Sequence, residues 1–388
     1  MRVCLITSAS FPPEEGIGHH VWNLAQQLEC RGHQVGIITR GSLAPTALEY
    51  RDGIAIWRAP FVACYPYHVH VHGIFVNRLL RRIEGQYDLI NAHAPLPPAV
   101  HTSLPLVTTF HSPMRSDTAA THVSDLRTLA MHLQAPVAQQ IEAVLLRRSC
   151  MVTAVASWVA EALRPYGVDP AMVAVTGNGV EACFLASPAF HEREPIVLYV
   201  GRLAVGKGLP ELVRAARTVV DRHHDPALRF VLVGQGPLLP RLHDLVREAG
   251  LQGRFDFRGA IPAARRDELV RLYQTASAFV LPSHHEGMST VLLEAMACST
   301  PVVSTAVGGA LEVVVDGDNG VLVPPCDPGA LAEALLTLLG DEPLRQHLGR
   351  SARATVERHY SWDTVGARYE ACYKRVLSDL GRDRDESS

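Results

Sequence analysis

Two carboxylates, Glu286 and Glu294, stand eight residues apart in a stretch that begins as a Gly-containing loop and continues as an apolar helix. Ser289 lies between them as an N-cap residue, so the free amides of Gly287 to Val291 are expected to point outward from the helix start. Such amides and the helix dipole favour anions. Acidic side chains on either side of them can accept hydrogen bonds from sugar hydroxyls. The stretch therefore predicts a site for a ligand that carries both phosphate and sugar, a nucleotide sugar.

The same stretch resembles the Glu-x7-Glu motif of retaining glycosyltransferases of family 4, which have the fold called GT-B. The likeness covers nearly the whole chain and is strongest from about Ile196 to Pro325, with Ser299 standing where the family usually has Gly. It continues in order through Val200-Gly201-Arg202-Leu203, Lys207-Gly208, Val233-Gly234-Gln235-Gly236-Pro237, Glu294–Ser304, Val307-Gly308-Gly309, Glu312-Val313 and Asp316–Gly320.

Arg202 and Lys207 follow a predicted strand that ends at Val200, the edge at which open α/β sheets bind ligands. Two cations there would neutralise a departing diphosphate, and the family resemblance implies the same role. The resemblance also places Glu294 on the ribose hydroxyls and Glu286 on the donor sugar. It surrounds them with the backbone amides of Gly287, Met288, Ser289 and Thr290, and it assigns Gly234 to a phosphate-binding segment.

Three further sets of residues are expected at the carboxyl ends of strands in the first half of the chain. Gly16 and Gly18, in a predicted loop over Phe11–Gly18, would let the backbone approach the donor phosphates. His111 follows a strand that ends at Phe110, and the matching histidine of relatives contacts the donor sugar. His93 ends another strand, and it and Arg115 are candidates for the acceptor side; each has a plain structural or surface role as its alternative.

Composition excludes several classes of protein. The net charge of −3, from 36 basic and 39 acidic residues, gives no reason to expect a nucleic-acid partner. An apolar run of 18 residues, as needed to span a membrane, does not occur, and Met1–Thr7 is typical of a first strand rather than a signal peptide. The eight cysteines are scattered without a CxxC pair, which is typical of reduced thiols in a cytoplasmic protein.

Alternating apolar runs and helical patterns predict parallel βαβ units, and 388 residues suffice for two domains. We predict an α/β protein of the GT-B class, with two Rossmann-like, doubly wound domains that face each other across a cleft. The predicted domains are residues 1–190 on the acceptor side and 191–360 on the nucleotide-sugar side. A C-terminal helix over 361–380 completes the first domain, as the resemblance implies, and 381–388 is a disordered tail.

Three patterns invite other interpretations. His68-x-His70-x-His72, placed on a strand, would turn three imidazoles to one side, but an acceptor-loop or surface role is favoured over a metal site. Asp316-x-Asp318 lies in a composition that makes turns, and we interpret it as a turn. Asn77–Ile83 predicts a short basic helix, for which a solvated face is favoured over contact with anionic lipid.

The predicted function is transfer of a sugar from a nucleotide diphosphate, by front-face attack, without a metal or another cofactor. A UDP-sugar is favoured, such as UDP-GlcNAc or UDP-glucose, with GDP-mannose as an alternative. The predicted acceptor is a small soluble or natural-product hydroxyl, and a lipid or lipid-linked acceptor with peripheral membrane contact is the alternative. Two remoter alternatives are an NAD(P) oxidoreductase, since Gly234-x-Gly236 follows a strand but Leu239 replaces the third glycine, and a non-catalytic nucleotide-sugar-binding protein.

Overall fold

A computed structural model describes residues 1–13, 16–43, 46–64, 66–120, 126–186 and 193–385. The chain divides into two compact units: Met1–Gly179 with Trp362–Ser388, and Val180–Ser361. The boundary predicted between residues 190 and 191 lies outside the described residues, as do residues 386–388 of the predicted tail. No helix among the described residues is long and apolar enough to cross a membrane.

The first unit is built on an eight-stranded sheet with the order β3-β4-β2-β1-β5-β6-β7-β8. All neighbouring pairs are parallel except β3 and β4, which are antiparallel. The central strands are buried on both faces, as parallel strands between helical layers must be. The strands are β1 (Arg2–Ile6), β2 (Gln34–Arg40), β3 (Ala47–Arg51), β4 (Ile54–Ala59), β5 (Leu89–Ala94), β6 (Leu106–Phe110), β7 (Met151–Ala154) and β8 (Val173–Val175).

Helices cover both faces of this sheet, and the first helix shows why. Val21, Leu24, Ala25 and Leu28 recur at helical spacing and are buried against the sheet. The helices of this part of the chain are α1 (Gly16–Cys30), α2 (His68–Ile83), α3 (Met114–Ala120), α4 (Leu126–Arg148) and α5 (Ser157–Ala162), with 3₁₀ turns at Glu84–Gln86, Arg164–Tyr166 and Pro170–Met172.

The second unit contains a six-stranded, fully parallel sheet with the order β11-β10-β9-β12-β13-β14. Its strands are β9 (Glu194–Val200), β10 (Arg229–Val233), β11 (Phe255–Gly259), β12 (Ala276–Leu281), β13 (Val302–Thr305) and β14 (Val321–Val323). Its helices are α6 (Ala182–Leu185), α7 (Leu209–His223), α8 (Leu239–Glu248), α9 (Arg266–Thr275), α10 (Thr290–Ala297), α11 (Ala310–Val313), α12 (Pro328–Gly340) and α13 (Glu342–His359), with a 3₁₀ turn at Ala263–Arg265.

The last helix, α14 (Trp362–Asp385), returns to the first unit. Its Val365, Tyr369 and Tyr373 are fully buried in the same apolar cluster as Leu24 and Leu28 of α1. The Arg31 guanidinium adds ion pairs to the Asp363 and Glu370 carboxylates. The helix continues five residues beyond the predicted end at Leu380, into the segment predicted as a disordered tail.

Candidate functional site

In the second unit, the loops after β9 and β10 are packed tightly against each other. The amide of Gly201 donates to the Val233 carbonyl at 2.9 Å, and Leu203 N–H donates to the Gln235 carbonyl at 2.9 Å. A Cβ atom at Gly234 would collide with the Gly201 carbonyl, and one at Gly236 would collide with the Leu203 carbonyl. Contact between the two loops therefore accounts for both glycines before any ligand is considered.

Lys207 lies in the loop after β9 and forms an ion pair with Glu286, which lies in the loop after β12. The Lys207 Nζ atom is 2.6 Å from Glu286 Oε1, and the Ser283 hydroxyl donates to the same oxygen at 2.7 Å. The Glu286 carboxylate is largely buried, with 10% of its side-chain surface exposed, whereas Lys207 retains 30%. The structure thus brings together two of the predicted catalytic residues and fixes their side chains before a ligand arrives.

The helix start after Glu286 is held in place by the next loop of the sheet. The Gly309 amide donates to the Gly287 carbonyl at 2.8 Å, and a Cβ atom at Gly309 would collide with that carbonyl. Ser289 is the N-cap of α10, as predicted, but its side chain accepts no hydrogen bond from the helix amides. The amides of the first turn therefore remain directed out of the helix, which is the arrangement that binds an anion.

Glu294 lies just over one turn into α10, where its carboxylate accepts a hydrogen bond from the Tyr273 hydroxyl at 2.9 Å. Burial raises the pKa of Glu294 to about 7, against the lowering effects of the Tyr273 hydroxyl and the nearby Arg266 charge. A carboxyl group with a pKa near neutral changes its charge readily when its surroundings change. The predicted Arg202 has an exposed side chain and lies two residues after the end of β9.

In the first unit, three histidines converge where β5, β6 and α1 come together. His93 Nδ1 lies 3.3 Å from His111 Nε2, and the His20 ring packs edge-on against His111 with the ring centroids 4.6 Å apart. Burial lowers the pKa of His20 to about 4 and holds the pKa values of His93 and His111 well below their usual range. All three imidazoles are therefore neutral at neutral pH.

His20 is anchored by two hydrogen-bond partners that come from distant parts of the chain. Its Nδ1 atom lies 3.0 Å from the Asn178 amide oxygen, and its Nε2 atom lies 3.1 Å from the Tyr369 hydroxyl of α14. An amide oxygen only accepts, so the Asn178 contact puts the ring proton on Nδ1. The Tyr369 hydroxyl then donates to the lone pair of Nε2.

A buried carboxylate supports the backbone just after His111. The Met114 amide, at the start of α3, donates to both oxygens of Glu142 at 3.1 and 3.3 Å, and the Tyr166 hydroxyl donates to one of them at 2.9 Å. Burial raises the pKa of Glu142 to about 7. Arg115, the next residue, carries an exposed side chain, so the structure does not bring it into the histidine cluster.

Two placements predicted from the sequence are wrong. Gly16 and Gly18 lie in the first turn of α1 rather than in the preceding loop, because the helix starts at Gly16. The His68-x-His70-x-His72 run begins helix α2 rather than a strand, so His70 is exposed while His68 and His72 are buried one turn apart. The three imidazoles therefore do not converge, and His72 Nδ1 lies 3.0 Å from the Pro60 carbonyl.

The helix predicted at Asn77–Ile83 and the turn predicted at Asp316-x-Asp318 are both present. Asn77–Ile83 is helical, although it forms the second half of the 16-residue α2 rather than a short separate helix. Residues 317–319 form a turn closed by the bridge between Asp316 and Gly320, as predicted for that acidic pair. Ser299 has a positive φ of 58°, which explains why glycine is the usual residue at this position.

Sequence reasoning missed His20, Tyr273 and Asn178, which hold the predicted residues in place. For His20 a signal existed, since it lies one turn before Leu24 on the apolar face of α1 and is 3% exposed. A histidine on such a face needs buried polar partners. For Tyr273 and Asn178 no local pattern gave a signal. Tyr273 contacts Glu294, 21 positions away, and Asn178 contacts His20, 158 positions away.

Comparison with known proteins identifies the class that this arrangement defines. Residues 15–182 match the family described as Glycosyltransferase Family 4, and residues 184–355 match Glycosyl transferases group 1. A D-inositol 3-phosphate glycosyltransferase of Xylanimonas cellulosilytica is 30% identical over 396 residues, which cover 91% of this chain and 89% of the relative.

Solved structures show the same fold. Sucrose-phosphate synthase from Thermosynechococcus elongatus matches with a TM-score of 0.80 at 23% identity, covering 97% of this chain and 99% of that chain. Anabaena HepE, in complex with UDP and glucose, matches with a TM-score of 0.72 at 18% identity, covering 97% and 100%. Two doubly wound units of this kind define the GT-B fold. The chain belongs to glycosyltransferase family 4.

Proposed function

We propose that this protein is a retaining glycosyltransferase that moves a sugar from a nucleotide diphosphate to a hydroxyl of a small soluble acceptor. The observation that carries the proposal is the Lys207–Glu286 pair, fixed beside the open start of α10 with Glu294 one turn away. The cation and the amides of the helix start suit the diphosphate of a single ligand, while Glu286 suits its sugar and Glu294 suits its ribose.

A UDP-sugar is the favoured donor, with glucose or N-acetylglucosamine as its sugar, and GDP-mannose is the alternative. Support comes from HepE, which is crystallised with UDP and glucose. In this proposal Glu294 accepts hydrogen bonds from the ribose hydroxyls, and Glu286 accepts one from the sugar. The backbone of residues 287–290 surrounds them, and Gly234, Gly16 and Gly18 allow the backbone to approach the phosphates.

Transfer with retention needs no protein nucleophile in the front-face mechanism. The acceptor oxygen attacks the anomeric carbon from the side of the leaving diphosphate, and a diphosphate oxygen takes the acceptor's proton as the glycosidic bond breaks. Lys207 and Arg202 stabilise the negative charge that develops on the diphosphate, and His111 positions the sugar. We propose that the reaction requires no metal or other cofactor.

A small, soluble, hydroxyl-rich molecule is the proposed acceptor. Support comes from the Xylanimonas relative, whose name assigns it an inositol phosphate. His93 and Arg115 are proposed on the acceptor side. A membrane-associated enzyme acting on a lipid-linked acceptor is the alternative, and the exposed arginines Arg78, Arg81 and Arg82 of α2 are the feature that favours it.

Thermal stabilisation by a panel of nucleotide diphosphates and their sugars tests the proposal. One diphosphate sugar should raise the melting temperature more than the others, and the shift should be unchanged by EDTA or added magnesium. A tightly bound ligand at 100 times its Kd stabilises by about 2.7 kcal/mol, which a melting curve resolves. A shift with NAD(P) alone would overturn the proposal, and binding without transfer or donor hydrolysis would favour a non-catalytic binding protein.

Donor affinity should rise with pH because of Glu294. Its pKa of about 7 in the free protein means that the carboxylate must lose a proton before it can accept from both ribose hydroxyls. We expect the Kd for UDP-glucose to be about tenfold weaker at pH 6 than at pH 8, as one pKa unit corresponds to a factor of ten. The Kd is measured by calorimetry, and Glu294→Gln is the control that should remove the slope. An equal slope in that variant would show that another group causes it.

A further inference from the structure

The histidine cluster of the first unit has the composition and spacing of a metal site. The ligand atoms of His20, His93 and His111 all lie within 4.8 Å of one another. His93 Nδ1 and His111 Nε2 are 3.3 Å apart. Two imidazole nitrogens bound to one tetrahedral zinc ion at about 2.0–2.1 Å are separated by about 3.4 Å, so this pair already has the spacing of two zinc ligands.

The His20 ring is oriented as a metal ligand would be. An imidazole keeps one lone pair for a metal when its other nitrogen holds the proton. His20 has the outer contact that orients a metal ligand, since its Nδ1 proton is donated to the Asn178 oxygen at 3.0 Å. That contact leaves the lone pair of Nε2 for the metal.

Two existing hydrogen bonds must be exchanged when a metal binds. One of His93 Nδ1 and His111 Nε2, 3.3 Å apart, carries the proton that the other accepts, so that ring must move its proton to its other nitrogen. The Tyr369 hydroxyl lies 3.1 Å from His20 Nε2 and would have to turn away from it. The side chains of Thr109, Thr153 and Thr176 lie close enough to this hydroxyl to lower its pKa, so other polar groups are available to it. The exchange therefore need not leave a buried hydroxyl without a partner.

We propose that His20, His93 and His111 bind Zn²⁺ or a similar transition-metal dication, with water as the fourth ligand, and that the bound ion inhibits sugar transfer. Three imidazoles without a carboxylate favour Zn²⁺, Co²⁺, Ni²⁺ or Cu²⁺ over Mg²⁺ and Ca²⁺, which prefer oxygen ligands. The inhibition rests on the proposed function, in which His111 contacts the donor sugar and is no longer available once it binds the ion. Metal binding itself does not rest on it.

Cobalt titration of the EDTA-treated 388-residue protein tests the binding. We expect one equivalent of Co²⁺ to give the intense visible absorption of a four-coordinate site, and Zn²⁺ to displace it. His20→Gln and His93→Gln should each weaken metal binding on the order of 10–100-fold, whereas His70→Gln, at an exposed position of α2, should not change it. The proposal would be overturned if the folded protein had no stoichiometric site. It would also be overturned if both cluster variants bound metal as tightly as the wild type.

The Tyr369→Phe variant tests the metal site without changing a histidine. It therefore distinguishes a metal site from a purely structural histidine cluster even if the histidine variants do not fold. Removing the hydroxyl frees the lone pair of His20 Nε2, so we expect Zn²⁺ to bind several-fold more tightly than to the wild type. Unchanged or weaker binding would refute the assignment of His20 as a ligand. Zn²⁺, but not Mg²⁺, should inhibit transfer reversibly. Stoichiometric metal binding by a protein without transferase activity would refute the proposed function and leave the metal site standing.

Discussion

Lys207→Ala is expected to lower kcat by about 10²–10³-fold, the usual cost of removing one preorganised donor from a developing anion. The loss has two sources in this structure. The ammonium group that stabilises the leaving diphosphate disappears, and the Glu286 carboxylate, with 10% of its side-chain surface exposed, loses its partner and repels the same diphosphate. Steady-state kinetics with the donor identified by thermal stabilisation measures the effect. A kcat within a few-fold of the wild type would refute the role of Lys207.

The second source of loss can be measured separately with Glu286→Gln. Glutamine keeps a hydrogen-bonding group beside the Ser283 hydroxyl but removes the negative charge. In the double variant with Lys207→Ala we expect about tenfold of the lost kcat to return, after allowance for the cost of Glu286→Gln alone. Additive losses would mean that the 2.6 Å ion pair does not couple the two residues during transfer.

Glu294→Ala is expected to weaken nucleotide binding on the order of 10²–10⁴-fold, as the two hydrogen bonds from the ribose hydroxyls to the carboxylate contribute about 1.5–3 kcal/mol each. Calorimetry with the nucleotide diphosphate measures this loss, because that ligand lacks the sugar and reports on the ribose directly. The same substitution leaves the buried Tyr273 hydroxyl without its acceptor, so the protein should also be destabilised by about 1–3 kcal/mol.

Tyr273→Phe separates these two effects. It removes the same hydrogen bond but keeps the Glu294 carboxylate, so it should lower the melting temperature and leave nucleotide affinity within a few-fold of the wild type. His111→Ala is expected to differ from Glu294→Ala in the opposite sense: it should lower kcat and change the nucleotide Kd little. If Tyr273→Phe weakened binding as much as Glu294→Ala, the carboxylate would act through structure and not through the ribose.

Regular parallel strands were the part of the fold that the sequence predicted well. The predicted strand ends at Val200 and Phe110 are confirmed, because a short apolar run in a parallel sheet is buried on both faces and ends where polar residues begin. Strand β3 was not predicted. Four of its five residues are exposed and it pairs with β4 at the edge of the sheet, so its sequence carries no burial pattern. Helix α2 was misread at His68–His72, where valines and histidines alternate as in a strand.

The candidate site was predictable in its residues and not in its contacts. The order of carboxylate, glycine and helix start that begins at Glu286 is a local pattern, and it is part of the resemblance to family 4. The ion pair of Lys207 with Glu286 and the hydrogen bond of Tyr273 to Glu294 join residues 79 and 21 positions apart. Which side chains meet over such separations depends on the packing of neighbouring loops, and no spacing rule within one element reports it.

The return of α14 to the first unit bears on the order in which the protein is assembled on the ribosome. The second unit, Val180–Ser361, is continuous in the chain, whereas the core around Leu24 is closed by Tyr369 and Tyr373, which are synthesised after it. Domains usually fold as they emerge, the N-terminal one first, at about 5–20 residues per second. Here the unit that begins first is the one that finishes last. Until α14 arrives, the apolar cluster around Leu24 lacks Val365, Tyr369 and Tyr373, and the His20 and Asn91 side chains lack their hydroxyl partners.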